Sequence, residues 1–201
     1  MKIKLYEDQL TTLQEDIDIP KYATNLVYLT NTSDDEEVER KVMYSILNKQ
    51  PKRAEIYWFI NVLVTDEPFT MEYKVNNIIP NQALKIQFRL GFKVDQKINI
   101  FLRQVVNDLL STGELNSYQK GYFSESGNQV GDFKFVIIQE SLSNEGELPK
   151  FQELIMNLKL FVKKYTVTPA KWFGLDTSNV EVETVPLVLG RKVRAKLTRV
   201  D

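Results

Sequence analysis

Residues 54–64, AEIYWFINVLV, constrain the fold more than any other stretch. The run is almost continuously apolar and rich in β-branched and aromatic side chains, which suits a central strand covered on both faces. Its apolar part, 56–64, is interrupted by Asn61 and is the longest such stretch, far short of the ~20 residues that cross a bilayer. The N-terminus, MKIKLYEDQL, is too charged for a signal peptide. The chain therefore reads as soluble.

Periodicity supplies the other elements. Residues 1–20 carry scattered apolar positions (Ile3, Leu5, Leu10, Leu13, Ile17, Ile19) and predict a short helix, then an extended linker ending at Pro20. Residues 25–30, NLVYLT, read as the first strand. Ser33 and Glu36 then have capping-box spacing. The run Asp34, Asp35, Glu36, Glu37 suits a helix N-terminus, and Val38, Val42, Met43, Ile46 and Leu47 follow at helical spacing until Pro51. The acidic run reads as a solvated helix start, with a cation site as its functional alternative. Residues 71–79 form a weaker strand between Pro68 and Pro80. Residues 83–94 alternate, with Leu84, Ile86, Phe88, Leu90 and Phe92 on one face and Lys85, Gln87, Arg89 and Lys93 on a face expected to be wet.

The strongest helix spans 96–112, with Asp95 at its N-cap, a stripe of Ile98, Phe101, Leu102, Val105, Val106, Leu109 and Leu110, and Gly113 as its stop. Residues 114–131 hold Gly121, Gly127 and Gly131 and read as a loop. Residues 132–139 read as a strand, 149–165 as a second amphipathic helix, and 183–189 as a last strand. The order β-α-β-β-β-α-β-α-β defines a single mixed α/β domain, one sheet of about six strands with three main helices packed on it. That domain is expected over 21–190, between a connector, 1–20, and a basic tail, 191–201. The tail holds Arg191, Lys192, Arg194, Lys196 and Arg199, which could touch phosphates or anionic lipid head groups, against the plainer reading of a free chain end.

Composition narrows the chemistry. A length of 201 residues buries about 70% of the unfolded surface, enough for a core without staples. There is no Cys and no His, so disulfides, thiolate nucleophiles, Cys/His zinc sites and histidine-based triads are excluded. With 26 basic and 27 acidic residues the chain lacks the basic excess of a nucleic-acid binder. No phosphate-cradling glycine motif, nucleophile elbow or EF-hand loop occurs. Carboxylate pairs, Asp66 with Glu67 and Asp176 near Glu181, sit where turns favour acidic residues anyway. Arg53, Arg89 and Arg103 could pair with phosphates, and Tyr57, Trp58, Phe59, Phe69, Tyr73, Phe88, Phe92, Trp172 and Phe173 could stack on a planar ligand, although strand aromatics are usually core. Asn31-Thr32-Ser33 matches a glycosylation sequon with nothing else to suggest secretion. No catalytic and no metal-ligating residue is assigned, and any ligand-binding residues stay unknown.

Four stretches carry a family resemblance: YATNLVYLT (22–30), QPKRAEIYWFINVLVTDEPFTMEYKV (50–75), FRLGFKVDQKINIFLRQVV (88–106) and FGLDTSNVEVETVPLVLG (173–190). They resemble, in order, the C-terminal cytosolic region of the Kup/HAK/KT potassium uptake transporters. The resemblance implies a domain on the cytoplasmic face of the cell membrane, below about a dozen membrane helices that this chain does not contain. The family's ion path lies in those helices, so no ion-binding residue carries over. The resemblance also implies a homodimer to which the cytosolic domains contribute.

Three functional expectations follow. The first is a regulatory and assembly domain of a proton-coupled potassium importer, partnered by the membrane part of the same transporter. The second is a sensor of a nucleotide second messenger such as cyclic di-AMP, bound by stacking and arginine–phosphate pairs. The third is a free-standing enzyme using carboxylates and a hard metal, against which the missing residue types argue.

Overall fold

The computed structural model describes residues 1–115, 132–142, 173–175 and 179–187; for 140–142 and 186–187 only the backbone is described. The chain opens with a short 3-10 helix, Ile3–Tyr6, and helix α1, Glu7–Glu15. Strand β1, Lys21–Thr30, leads to helix α2, Arg40–Tyr44, which widens into a π turn, Ser45–Lys49. Then come β2, Arg53–Thr65; β3, Met71–Ile79; β4, Ala83–Gly91; helix α3, Ile98–Thr112; β5, Phe133–Leu142; and β6, Asn179–Leu187. The six strands form one mixed sheet in the order β3-β4-β2-β1-β5-β6. All neighbours are parallel except the β3–β4 hairpin at one edge.

The apolar run of β2 does what its composition predicts. Trp58 and Ile60 point into a core with Val27, Ile86, Phe88 and the α3 residues Leu102, Val105 and Val106. The alternate residues Tyr57 and Phe59 point to the opposite core, with Leu26, Tyr28, Leu10, Leu13, Val42, Met43 and Ile46. A parallel sheet has to be covered on both faces, and here α3 covers one while α1 and α2 cover the other. Gly113 ends α3 in the left-handed conformation (φ 76°), as expected.

Five expectations are corrected. The helix foreseen from Ser33 begins only at Arg40, with no side-chain cap. Residues 31–39 instead form a loop whose backbone groups are already engaged: the Ile3 amide donates to the Glu36 carbonyl, the Val38 amide to the Met1 carbonyl, and the Lys85 ammonium to the carbonyls of Thr32, Asp34 and Glu37. The face of β4 expected to be wet is wet only at its end: Lys85 is 2% exposed, while Arg89 is exposed. Helix α3 starts at Ile98 with Lys97, not Asp95, at its N-cap, and the Ile98 amide donates to the Phe173 carbonyl at 3.2 Å. Residues 16–20 are a tight turn rather than an extended linker. The Arg53 guanidinium holds it, donating to the carbonyls of Gln14 (2.9 Å) and Ile19 (3.1 Å). Strand β6 begins at Asn179, earlier than expected. Most of the loop at 114–131, the helix at 149–165 and the tail at 191–201 lie outside the described residues.

Strand β4 stops at Gly91 because the turn after β2 crosses it there. A Cβ on Gly91 would lie 2.4 Å from the Glu67 carbonyl oxygen and from the Pro68 backbone. Gly91→Ala is expected to destabilise the domain by about 1–3 kcal/mol, since backbone rather than a flexible side chain would have to move. A denaturant-unfolding midpoint unchanged from the parent would refute this.

Candidate functional site

Two buried polar clusters occupy the sheet face beneath α1 and α2. The first is centred on Lys52, which follows the π turn and is fully buried. Its ammonium lies 2.8 Å from a carboxylate oxygen of Glu183 on β6 and donates to the carbonyls of Ser45 (2.8 Å) and Gln50 (3.3 Å). The Ser45 hydroxyl donates to the other Glu183 oxygen and sits 2.8 Å from the Tyr28 hydroxyl. Burial pushes the Tyr28 phenol well above its ordinary pKa, so it stays protonated as a donor. Beside this cluster the Tyr22 hydroxyl donates to Glu181, which also pairs with Lys134 at 3.0 Å. The Lys134 ammonium lies 3.6 Å from the Tyr22 ring centroid, a close cation–π contact. The Tyr22 hydrogen bond, then Lys134, hold the Glu181 carboxyl below its usual range, with burial opposing. Together these contacts fasten β6 to β1, β5 and the start of β2.

The second cluster joins the C-terminal end of β1 to the second half of β2 and the first half of β4. Strand order reverses at β1, with β2 and β4 on one side and β5 and β6 on the other; crevices near such a reversal are common ligand sites. Polar residues bind one another on the β2–β4 side of that reversal. The Asn61 side-chain amide donates to the Thr30 carbonyl at 3.1 Å and accepts from Gln87 at 3.4 Å. Below them the Lys85 ammonium is ringed by the Thr32 carbonyl at 2.9 Å and the Glu37 carbonyl at 2.5 Å, with Asp34 the third acceptor. Burial lowers the Lys85 pKa, and the nearby Glu39, Asp34, Asp35 and Glu37 carboxylates offset this. The expected alternative of a cation site in this acidic run is thus met by the chain's own cation.

The candidate ligand residues do not converge. Arg53 pins the end of α1, Arg89 pairs with Glu72 at 2.9 Å across the β3–β4 hairpin, and Arg103 lies 5.6 Å from the Phe133 ring centroid. Tyr57, Trp58, Phe59 and Phe88 are core residues. Phe69, Tyr73 and Phe92 are exposed near the β3 edge, and Trp172 lies outside the described residues. Asp66 and Glu67 belong to the turn that crosses Gly91, and Asp176 lies outside the described residues. Sequence reasoning missed Lys52, Ser45, Glu183 and Lys85. The one available signal was charge inside otherwise apolar strands: Lys85 and Glu183 interrupt β-forming runs.

A groove of about 430 Å³ opens between α1 and the π turn. Leu13, Ile19, Leu47 and Pro51 supply its apolar lining, and Asp8 and Asp16 stand at its wall.

The fold is that of a mixed α/β domain, and the buried charges of Lys52, Glu183 and Lys85 fasten its elements together. Residues 23–192 match the family described as the K+ potassium transporter C-terminal domain, and the chain belongs to that family. The chain is 50% identical over 198 residues to a "Probable potassium transport system protein Kup" of Clostridium perfringens, covering 98% of this chain and 30% of that protein. It is 47% identical over 197 residues to a protein of the same description from Enterococcus faecalis, covering 98% and 30%. It is also 42% identical to "Probable potassium transport system protein Kup 2" of Lactococcus lactis, covering 100% and 31%. The chain thus spans about 30% of the length of these relatives. No solved structure matches it. Among the described residues no helix is long and apolar enough to cross a membrane.

Proposed function

We propose that the chain is the cytosolic regulatory and assembly domain of a proton-coupled potassium uptake transporter. The observation that carries this reading is the asymmetry of coverage: nearly all of this chain aligns with less than a third of each potassium transport relative. A unit of this kind acts through the remainder of the protein, and its partner is the membrane part. Lys2, Lys4 and Lys21 near the connector suit a position at the inner leaflet. The β3 edge supports the assembly role, because Phe69, Met71, Tyr73 and Phe92 leave apolar surface exposed beside an edge strand whose outer side has no strand neighbour among the described residues. A two-fold dimer would use the same patch on both subunits.

The test is deletion of 22–190 from the intact transporter that carries this segment, with rubidium uptake measured in cells lacking other potassium importers. Uptake or its response to external potassium is expected to fall severalfold. Uptake, oligomeric state and regulation all unchanged would refute the reading.

A further inference from the structure

We propose that the groove between α1 and the π turn is the docking site for the chain's own C-terminal segment, 191–200. This goes beyond the transport reading and does not rest on it. The groove has an apolar lining from Leu13, Ile19, Leu47 and Pro51 with Asp8 and Asp16 along one wall. Residues 7–18, which build that wall, hold Glu7, Asp8, Glu15, Asp16 and Asp18 and no basic residue. The C-terminal segment has the complementary composition: Arg191, Lys192, Arg194, Lys196 and Arg199, with Val193, Leu197 and Val200 recurring at i, i+4 and i+7. One ligand can therefore place apolar groups on the lining and cations against the acidic wall.

Reach is also satisfied. The Lys49 ammonium donates to the Thr184 carbonyl at 2.9 Å, which sets the last strand beside the π turn that forms the groove's other wall. From Leu187 the remaining 14 residues can extend over roughly 45 Å. Asp8 and Asp16 select against an anionic lipid head group as the occupant, since like charges would face each other.

The chain has no cysteine, so Ala195→Cys gives a single attachment point for a nitroxide label on the full chain. Docking in cis is expected to broaden the amide signals of residues 8–16 selectively. Broadening should weaken as salt is raised. In a Asp8→Asn/Asp16→Asn background the bound-to-free ratio is expected to drop about fivefold, as the loss of two surface charge pairs implies. The amide spectrum of each variant reports independently that it is folded. Absence of selective broadening would overturn the proposal. So would equal broadening from a tail of scrambled order, which would show charge attraction without a seat in the groove. Broadening seen only when labelled and isotope-enriched chains are mixed would also overturn it, by assigning the tail to a second copy. Loss of all broadening on adding phosphatidylglycerol vesicles, with the label then immobilised on them, would give the tail to the membrane instead.

Discussion

Lys52→Met is expected to lower the unfolding free energy by about 3–5 kcal/mol, the usual cost of removing one partner from a buried ion pair. The cost arises mainly at Glu183, which is 4% exposed and, among the described residues, would keep the Ser45 hydroxyl as its hydrogen-bond donor. The carbonyls of Ser45 and Gln50 would lose a donor as well. A paired replacement, Lys52→Met with Glu183→Gln, removes both charges and is expected to recover most of the loss. Urea unfolding of the parent, both single variants and the double variant gives the coupling directly. A Lys52→Met variant within 1 kcal/mol of the parent would show that the pair does not hold the cluster.

Lys85→Met is expected to cost about 2–4 kcal/mol, and its effect should be concentrated in the loop at 31–39. Three partly buried carbonyl oxygens lose a charged donor together; a hydrogen bond to a charged group contributes about 1.5–3 kcal/mol, and water reaching the half-exposed loop offsets part of the sum. Hydrogen exchange of amides in 31–39 should accelerate more than that of β2, which distinguishes local opening from general destabilisation. The titration has a definite sign. Burial lowers the Lys85 pKa below its ordinary 10.5, so at alkaline pH the unfolded chain binds the proton that the folded chain has released. Parent stability should therefore gain with rising pH between the lowered value and 10.5, and this gain should be absent from the methionine variant. Equal alkaline slopes in the two proteins would exclude Lys85 as the source.

Much of the architecture was legible because it depends on local periodicity. The unbroken apolar run of β2, the three-four stripe of α3 and the left-handed stop at Gly113 each encode their own element. Strand neighbours were not legible. Nothing near Tyr28 or Phe135 specifies that β1 and β5 pair, because parallel partners are chosen by the packing of distant segments. The loop at 31–39 was misread for a related reason. Its acidic run and capping spacing favour a helix locally, but Lys85, dozens of residues later, takes the carbonyls that such a helix would use. Lys85 itself looked solvent-facing because alternation identifies which side of a strand a residue occupies, not what will cover that side. The Lys52–Glu183 pair escaped notice for the same reason, since its members lie at opposite ends of the fold's chain order.

That chain order has a consequence for synthesis. Strand β1 meets β2 about 30 residues later, but the contacts to the β5 region span 108 residues. A chain emerging from the ribosome at ~5–20 residues per second would hold the half-sheet β3-β4-β2-β1 with an open β1 edge for about 3–10 s, the time from Gly91 to Leu142. During that interval Lys52 has no counter-charge, and the face under α2 has to stay hydrated or loosely packed. The counter-charge of Lys52 arrives only with β6, so a product that ends before Glu183 lacks the carboxylate that matches this ammonium.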